Sequence, residues 1–395
     1  MVRTVAIILE RANVTVRGAE RSMFELARAL RTHGVQVDLL AACGRTKLRH
    51  IHVLCPNGTA ERPSLSGFRR ALQRHLTTHR YDIVHSVLPF EFVDLYQPQD
   101  GTWPESLRRR MATFSCPVAR IGQRCIARLR ERGDGRLRDE RRVCRESQGP
   151  AIVALSRYVA DQLQRHYGTA AERIVLAPGG VRTGLRTDPK TAQRLRLQII
   201  DELGLSRDDQ PALFLFVAHD FRLKGLDPLI RAMARAANPP ADCCPCLLVV
   251  GDDRSEPYRR LAERIGVERR IVFLGPIKRL HNVLSIVDTA ILPSFYDPCN
   301  RFTLEALAAG KPVVTTRFNG AVDQFADGRH GLVLDSPDNV PSLAQAIRHF
   351  ASPAVRRQAS QAIAEDHLPE RVSVERVARD LLDAYEAIHE RKQHS

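Results

Sequence analysis

Short apolar runs alternate with longer stretches in which apolar positions recur every three or four residues, and this alternation persists along nearly the whole chain. A brief, uninterrupted apolar run bounded by breakers predicts a strand covered on both faces. The three-to-four spacing predicts the helix that covers it. Thr4 to Leu9 is the first such run. After the loop Glu10 to Arg17, Ala19 to Thr32 places Met23, Leu26, Ala27 and Leu30 at helical spacing, with Gly34 where a C-cap belongs. Strands are predicted next at Val35 to Leu40, Tyr81 to His85, Ala151 to Leu155 and Ile174 to Leu176, with a helix from Arg157 to Tyr167. The run from Pro178-Gly179-Gly180 to Lys190 is rich in Gly, Pro and charge and marks a linker. A second series of strands then begins: Leu213 to Val217, Leu247 to Val250, Ile271 to Leu274, Ala290 to Pro293 and Pro312 to Thr315, each separated by a helix-length segment.

Strand and helix in alternation define parallel α/β units. The expected architecture is two successive doubly wound sheets, residues 1–190 and 191–370. A C-terminal segment, 371–395, carries the helical pattern Val372 to His389 and is expected to pack back across the junction. Ligands of such sheets dock at the carboxyl ends of the strands.

Length agrees, since 395 residues exceed one ordinary core. The longest apolar run, Ala212 to Ala218, is too short to span a bilayer. The opening run Val5 to Leu9 is cut by Glu10, too brief for the apolar core of a signal peptide. Nine cysteines without framework spacing suit a reducing compartment, so a cytoplasmic chain is expected. Cys243-Cys244-Pro245-Cys246 lacks a second pair at zinc spacing and reads as a loop entering a buried strand.

The net charge of +15 is concentrated. Between Gly101 and Arg145 thirteen arginines face five acids, with Trp103 and Phe114 the only aromatic residues. A stretch this basic suits nucleic acid, an anionic membrane, an acidic substrate or a solvated face. Single-stranded nucleic acid wants interleaved aromatics, which are scarce here, so nucleic acid is not the expected partner. Lipid phosphates need charge alone.

Three stretches carry candidate chemistry. Val16-Arg17-Gly18-Ala19-Glu20-Arg21 follows the first strand and opens a helix, where Gly18 permits close backbone approach; a plain turn reads equally well. Phe216 to Gly225 sets Arg222 and Lys224 after the first strand of the second half, where strong charge-assisted bonds to a diphosphate are possible. FYDPCNRFTLEALAAGKPVV, 295–314, places Asp297 before a helix capped by Asn300 and Glu305 within it. Glu305 shares a face with Arg301, so either an i,i+4 ion pair or a grip on a ribose diol accounts for it.

Pro293-Ser294…Asp297-(seven residues)-Glu305-Ala306…Gly310-Lys311-Pro312-Val313-Val314 resembles the glutamate-x7-glutamate motif of family-4 retaining glycosyltransferases. His219 to Gly225 resembles their phosphate-binding segment, Arg17 to Arg21 their Gly-Gly loop, and Pro178-Gly179-Gly180-Val181 their Pro-Asn-Gly-Val linker. Within that family the chain is most similar to the lipopolysaccharide core glucosyltransferase I group, through Phe-Tyr-Asp-Pro-Cys at 295–299 and Thr-Thr-Arg-Phe-Asn-Gly at 315–320. The resemblance implies the GT-B fold, two Rossmann-like domains facing across a cleft. It also implies metal-independent, retaining transfer of a hexose, glucose in this group, from a nucleotide diphosphate sugar, with UDP as the expected nucleotide. The implied acceptor is a hydroxyl of a lipid-linked or lipopolysaccharide-type glycan. No cofactor is implied beyond the donor, and the basic segment implies a peripheral position on the inner membrane face.

Carried over by position, Lys224 and Arg222 bind the diphosphate, with His219 in the same segment among the substrate contacts. Glu305 takes the ribose and Asp297 lies near the transferred sugar. The backbone at Asn300 and Arg301 caps the diphosphate, Gly18 lines the cleft, and Asp100 faces the acceptor. The chain departs from the family pattern in four places. Asp297 replaces Glu, Arg17 replaces the first Gly of the loop, Leu223 separates Arg222 from Lys224, and Trp103 stands where relatives carry His. Two other functions remain on the residues alone: a GT-B scaffold that binds membrane or nucleic acid without transfer, and a sugar-nucleotide epimerase.

Overall fold

The computed structural model describes residues 1–12, 18–55, 64–114, 122, 135–206, 210–236 and 244–394. Arg17, Arg120, Arg124, Arg128, Arg130, Arg132 and Cys243 lie outside them. The chain divides into two compact units. One comprises 1–111, 116–181 and 374–395, the other 112–115 and 182–373. The first unit thus ends at Val181, short of the boundary expected at 190, and reclaims the C-terminal helix Val374–Gln393.

The first unit is built on a parallel sheet of seven strands: β1 (Thr4–Arg11), β2 (Gln36–Cys43), β3 (Ile51–Val53), β4 (Ile83–Ser86), β5 (Leu95–Tyr96), β6 (Ala151–Ala154) and β7 (Ile174–Leu176). Their order is β3-β2-β1-β4-β5-β6-β7. Strand β1 shows why a buried parallel strand reads as continuous apolar sequence. Its Val5, Ile7 and Leu9 join one core with Met23, Leu26 and Leu30 of the helix Gly18–Thr32 and with Val377, Leu381 and Tyr385 of the C-terminal helix. Its Ala6 and Ile8 join a second core with Phe68, Leu72 and Phe90 on the opposite face. Alternate residues feed opposite cores, so no polar position is tolerated.

His85 ends fully buried on β4, its Nδ1 2.6 Å from Tyr385 Oη on the C-terminal helix. Burial pushes its pKa down to about 4. The fold therefore favours the neutral ring, while the unfolded chain takes up a proton below about pH 6.5. Stability contributed by this group is complete above that pH and falls on acidification toward pH 4. Between pH 7 and 4.5, wild type is expected to lose about 2–3 kcal/mol more than His85→Gln. Urea unfolding followed by Trp103 fluorescence measures this, because the only tryptophan lies in the same unit. Parallel pH dependence in the two proteins would contradict it.

The second unit carries a parallel six-stranded sheet: β8 (Ala212–Val217), β9 (Pro245–Val250), β10 (Ile271–Gly275), β11 (Thr289–Leu292), β12 (Val313–Thr316) and β13 (Gly331–Leu334). The order is β10-β9-β8-β11-β12-β13. From β8 the chain winds outward to β9 and β10, then returns to β11 on the other side of β8. That reversal makes the carboxyl ends of β8 and β11 a topological switch point, where doubly wound sheets open a crevice. Both stretches that carry candidate chemistry in this half leave the sheet there.

Candidate functional site

After β8 the chain folds tightly. The Lys224 N–H donates to Asp220 O (3.0 Å), the Leu226 N–H to Phe221 O (2.9 Å), and the Leu223 N–H to the Asp220 carboxylate (2.9 Å). Gly225 closes this turn at φ +81° and caps the helix Leu226–Arg235. A Cβ there would lie 2.1 Å from the Pro293 carbonyl oxygen, so only glycine lets the β8 loop rest against the end of β11. The Phe295 N–H, donated to Leu223 O (2.9 Å), fastens the two loops.

That closeness brings Lys224 to Asp297. Lys224 Nζ lies 2.7 Å from Asp297 Oδ2 and 2.7 Å from the Tyr296 carbonyl. Asp297 is buried and holds three donors: Lys224 Nζ, Asn300 Nδ2 at 2.7 Å on the same oxygen, and the Cys299 N–H at 3.2 Å on the other. The sequence reading gave Lys224 and Asp297 separate duties, phosphate and sugar. In the structure they form one charge pair (side chains 16% and 12% exposed), too enclosed to be a screened surface bridge. The missing methylene of Asp297 keeps its carboxylate against its own turn and Lys224.

Asn300 caps the helix Arg301–Ala308 by accepting from the Thr303 N–H (2.9 Å). Its own N–H, expected to face a diphosphate, is donated instead to Asn319 Oδ1 (3.1 Å). The Thr303 and Leu304 N–H groups are bonded to Asn300 as well, at 2.9 and 3.3 Å, so what the helix start presents is chiefly the positive end of its dipole. Glu305 Oε1 accepts from Arg301 Nε at 2.9 Å, so the i,i+4 pair is present. The bond fixes the carboxylate on the helix face that Arg301 shares. Arg222 is exposed, its guanidinium 4.9 Å from the centre of the Phe114 ring. His219 is also exposed; its Nδ1 lies 2.7 Å from Asp252 Oδ1, a contact that holds the Asp252 pKa below the usual carboxylate range.

In the first unit, Gly18 opens the helix Gly18–Thr32, and Asp100 is exposed in the turn after β5, where Gly101 takes φ +69°. Trp103 begins the helix Trp103–Ala112 and donates its backbone N–H to Glu140 (3.0 Å). Glu140 also accepts from Tyr167 Oη at 2.6 Å; burial raises its pKa, and the negative charge of Asp100 pushes the same way. Neither Glu140, one more charge in a basic stretch, nor Asn319, within Phe-Asn-Gly, stands out in the sequence.

Two of the described stretches of the basic segment are helices. On Gly135–Arg145 the acids are already committed: Asp139 pairs with Arg69 (2.9 Å) and Glu140 is buried. Arg138, Arg141, Arg142 and Arg145 are exposed on one helical face, i, i+3, i+4 and i+7. Among the described residues none of the four has a salt-bridge partner, and with Glu146 they line a shallow recess of about 360 Å³. No described helix is long and apolar enough to cross a membrane.

Two parallel α/β domains, each with its strand ends free to take a ligand, are the architecture of GT-B glycosyltransferases. The sequence matches the description of Glycosyltransferase Family 4 over residues 16–185 and that of Glycosyl transferases group 1 over 211–352. The chain belongs to this family of glycosyltransferases and has the GT-B fold. It is 32% identical over 255 residues to the D-inositol 3-phosphate glycosyltransferase of Rhodococcus opacus (strain B4), an alignment covering 62% of this chain and 54% of the relative. The chain thus spans about half the length of that relative. It is 25% identical over 291 residues to the lipopolysaccharide glucosyltransferase WaaG of Escherichia coli (strain K12), covering 73% of each. The crystal structure of WaaG superimposes with a TM-score of 0.71 at 20% identity over 97% of this chain and 99% of that one. Anabaena Alr3699/HepE, solved in complex with UDP-glucose, gives 0.70 at 18% identity over 97% and 99%. At such identities the superpositions establish the fold.

Proposed function

We propose that the protein is a retaining hexosyltransferase that moves glucose from UDP-glucose to a hydroxyl of a lipid-linked or lipopolysaccharide-type glycan without a metal ion. The observation that carries this reading is the cation at the switch point. Lys224 is held at the carboxyl end of β8, 2.7 Å from Asp297 and beside the helix Arg301–Ala308. Support for the particular donor and acceptor comes from the relatives: WaaG is a lipopolysaccharide glucosyltransferase, and HepE was solved with UDP-glucose.

The chemistry follows from where charge develops. As the bond between the sugar C1 and the β-phosphate oxygen breaks, negative charge builds on the departing diphosphate. Lys224, Arg222 and the first turn of the helix from Arg301 stabilise it. Glu305, oriented by Arg301, accepts the ribose hydroxyls, and Asp297 faces the transferred sugar from beside Lys224. The acceptor oxygen bonds to C1 on the face the diphosphate leaves, and its proton passes to the departing phosphate oxygen. Asp100 is assigned to the acceptor, Gly18 to close backbone approach by the substrate, and His219 to the segment that meets the donor. Thermal-shift titration against UDP-, GDP- and ADP-glucose tests the reading, together with acceptor-free donor hydrolysis. UDP-glucose is expected to raise the melting temperature and to be slowly hydrolysed. Neither effect with any of the three donors would leave a GT-B scaffold without transfer.

The unpaired arginine face of Gly135–Arg145 is proposed as the contact with an anionic membrane that brings the enzyme to a lipid-borne acceptor, each basic side chain contributing about 1 kcal/mol near the surface. Changing Arg138, Arg141, Arg142 and Arg145 to Gln is expected to weaken binding to phosphatidylglycerol vesicles at least tenfold at low salt, with donor hydrolysis in solution unchanged. Equal pelleting of both proteins, or wild-type pelleting that persists at 1 M salt, would refute an electrostatic contact.

A further inference from the structure

We infer that Asn319 is a positioning residue for the donor site, an inference that rests on the transferase reading. Asn319 is fully buried in the loop after β12, and its amide is saturated. Oδ1 accepts from the backbone N–H groups of Asn300 and Ala321, each at 3.1 Å. Nδ2 donates to the hydroxyls of Thr303 and Thr315, each at 3.0 Å. A side-chain amide has two donor hydrogens and two acceptor lone pairs, and all four are used. The four partners stand on four segments: the turn before the helix Arg301–Ala308, the first turn of that helix, the end of β12, and the 3-10 turn Gly320–Gln324. The neighbouring backbone adds two more ties, Asp297 N–H to Phe318 O and Gly320 N–H to Asp297 O, both 2.9 Å.

One amide thereby fixes the turn and the helix start that hold the Lys224–Asp297 pair. Asn319 holds the Asn300 backbone. The Asn300 side chain caps the helix through Thr303 and bonds Asp297 Oδ2, the oxygen that Lys224 Nζ also touches. Cutting the amide frees the helix start, the carboxylate and the ammonium together. Misplacement of reacting groups by about 1 Å can cost on the order of 100-fold in rate. No other side chain of this size supplies two donors and two acceptors: Asp lacks the donors and Leu lacks both.

The test compares Asn319→Ala, Asn319→Asp and, as a buried polar control in the same unit, His330→Ala. His330 is 3% exposed, bonds the Ala326 N–H and Asp366, and lies in the turn between β12 and β13. Three readouts are taken at a temperature where each variant is folded: hydrogen exchange of amides 297–303 relative to β8, UDP affinity by calorimetry, and kcat and KM for UDP-glucose hydrolysis. Asn319→Ala is expected to speed exchange at 297–303 at least tenfold, to weaken UDP at least fivefold and to lower kcat at least tenfold. His330→Ala is expected to lower the melting temperature while leaving UDP affinity and kcat near wild type. Asn319→Asp keeps the two accepted bonds and loses the two donated ones, so a smaller change in exchange is expected; it decides the matter if Asn319→Ala does not fold. Wild-type exchange and kcat in the Asn319 variants would overturn the inference, as would losses matched by His330→Ala. If wild type binds no UDP, the transferase reading fails, while the exchange data still decide whether Asn319 holds the turn.

Discussion

Lys224→Ala is expected to lower kcat/KM for sugar-nucleotide turnover at least tenfold, about 1.4 kcal/mol of transition-state stabilisation or more. The ammonium is enclosed and aimed, since Nζ is fixed by Asp297 Oδ2 and the Tyr296 carbonyl, both at 2.7 Å. A fixed charge in a partly desolvated site acts on the departing diphosphate without reorganising first. Glu305→Ala is expected to lose at least tenfold as well, mainly through KM if the carboxylate serves the ribose. The ion pair adds a stability signature that separates it from a surface bridge. Lys224→Ala leaves the Asp297 carboxylate buried without its cation, which costs roughly 1–3 kcal/mol. Lys224→Ala/Asp297→Asn removes both charges and is expected to be more stable than Lys224→Ala alone. Urea unfolding of the three proteins measures this coupling. An additive double mutant would mean that the pair is screened, and wild-type turnover in Lys224→Ala and Glu305→Ala would sink the proposed assignment of the site.

The alternation of short apolar runs with helical spacing announced ten of the thirteen strands among the described residues, because a strand buried on both faces must be apolar at every position, as in β1 and β8. The strands missed are β3, β5 and β13, of three, two and four residues. They form because neighbouring strands offer them hydrogen bonds, β3 along β2, β5 between β4 and β6, and β13 along β12. The capping role of Asn300 was legible, since an Asn before an apolar helical run has one dominant use. The Lys224–Asp297 pair was not. The two residues are 73 positions apart, and their meeting depends on Gly225 lying against Pro293, a close approach that no local pattern encodes. Glu140 and Asn319 were hidden for a different reason: burial alone makes a charged or amide side chain a hub, and burial of a single polar residue leaves no periodic trace.

Gly225→Ala is expected to strike the stability of the second unit and its nucleotide site together. Two costs combine. At φ +81° an L residue pays about 1–2 kcal/mol for the left-handed conformation. The new Cβ also meets the Pro293 carbonyl oxygen at 2.1 Å, a backbone atom that cannot rotate away. Relief requires the β8 loop and the end of β11 to separate, which breaks the Phe295 to Leu223 hydrogen bond and draws Lys224 from Asp297. Gly310 isolates the first cost. It has φ +70° in the same unit, and a Cβ there meets nothing within 4 Å. Gly310→Ala should therefore cost about 1–2 kcal/mol and keep UDP binding, while Gly225→Ala should cost at least about 3 kcal/mol and lose it. Hydrogen exchange of β8 and β9 in increasing urea reads the stability of this unit, and calorimetry reads the nucleotide. If the two alanines prove equally mild, the close approach of the β8 loop to Pro293 is not what holds Lys224 in place.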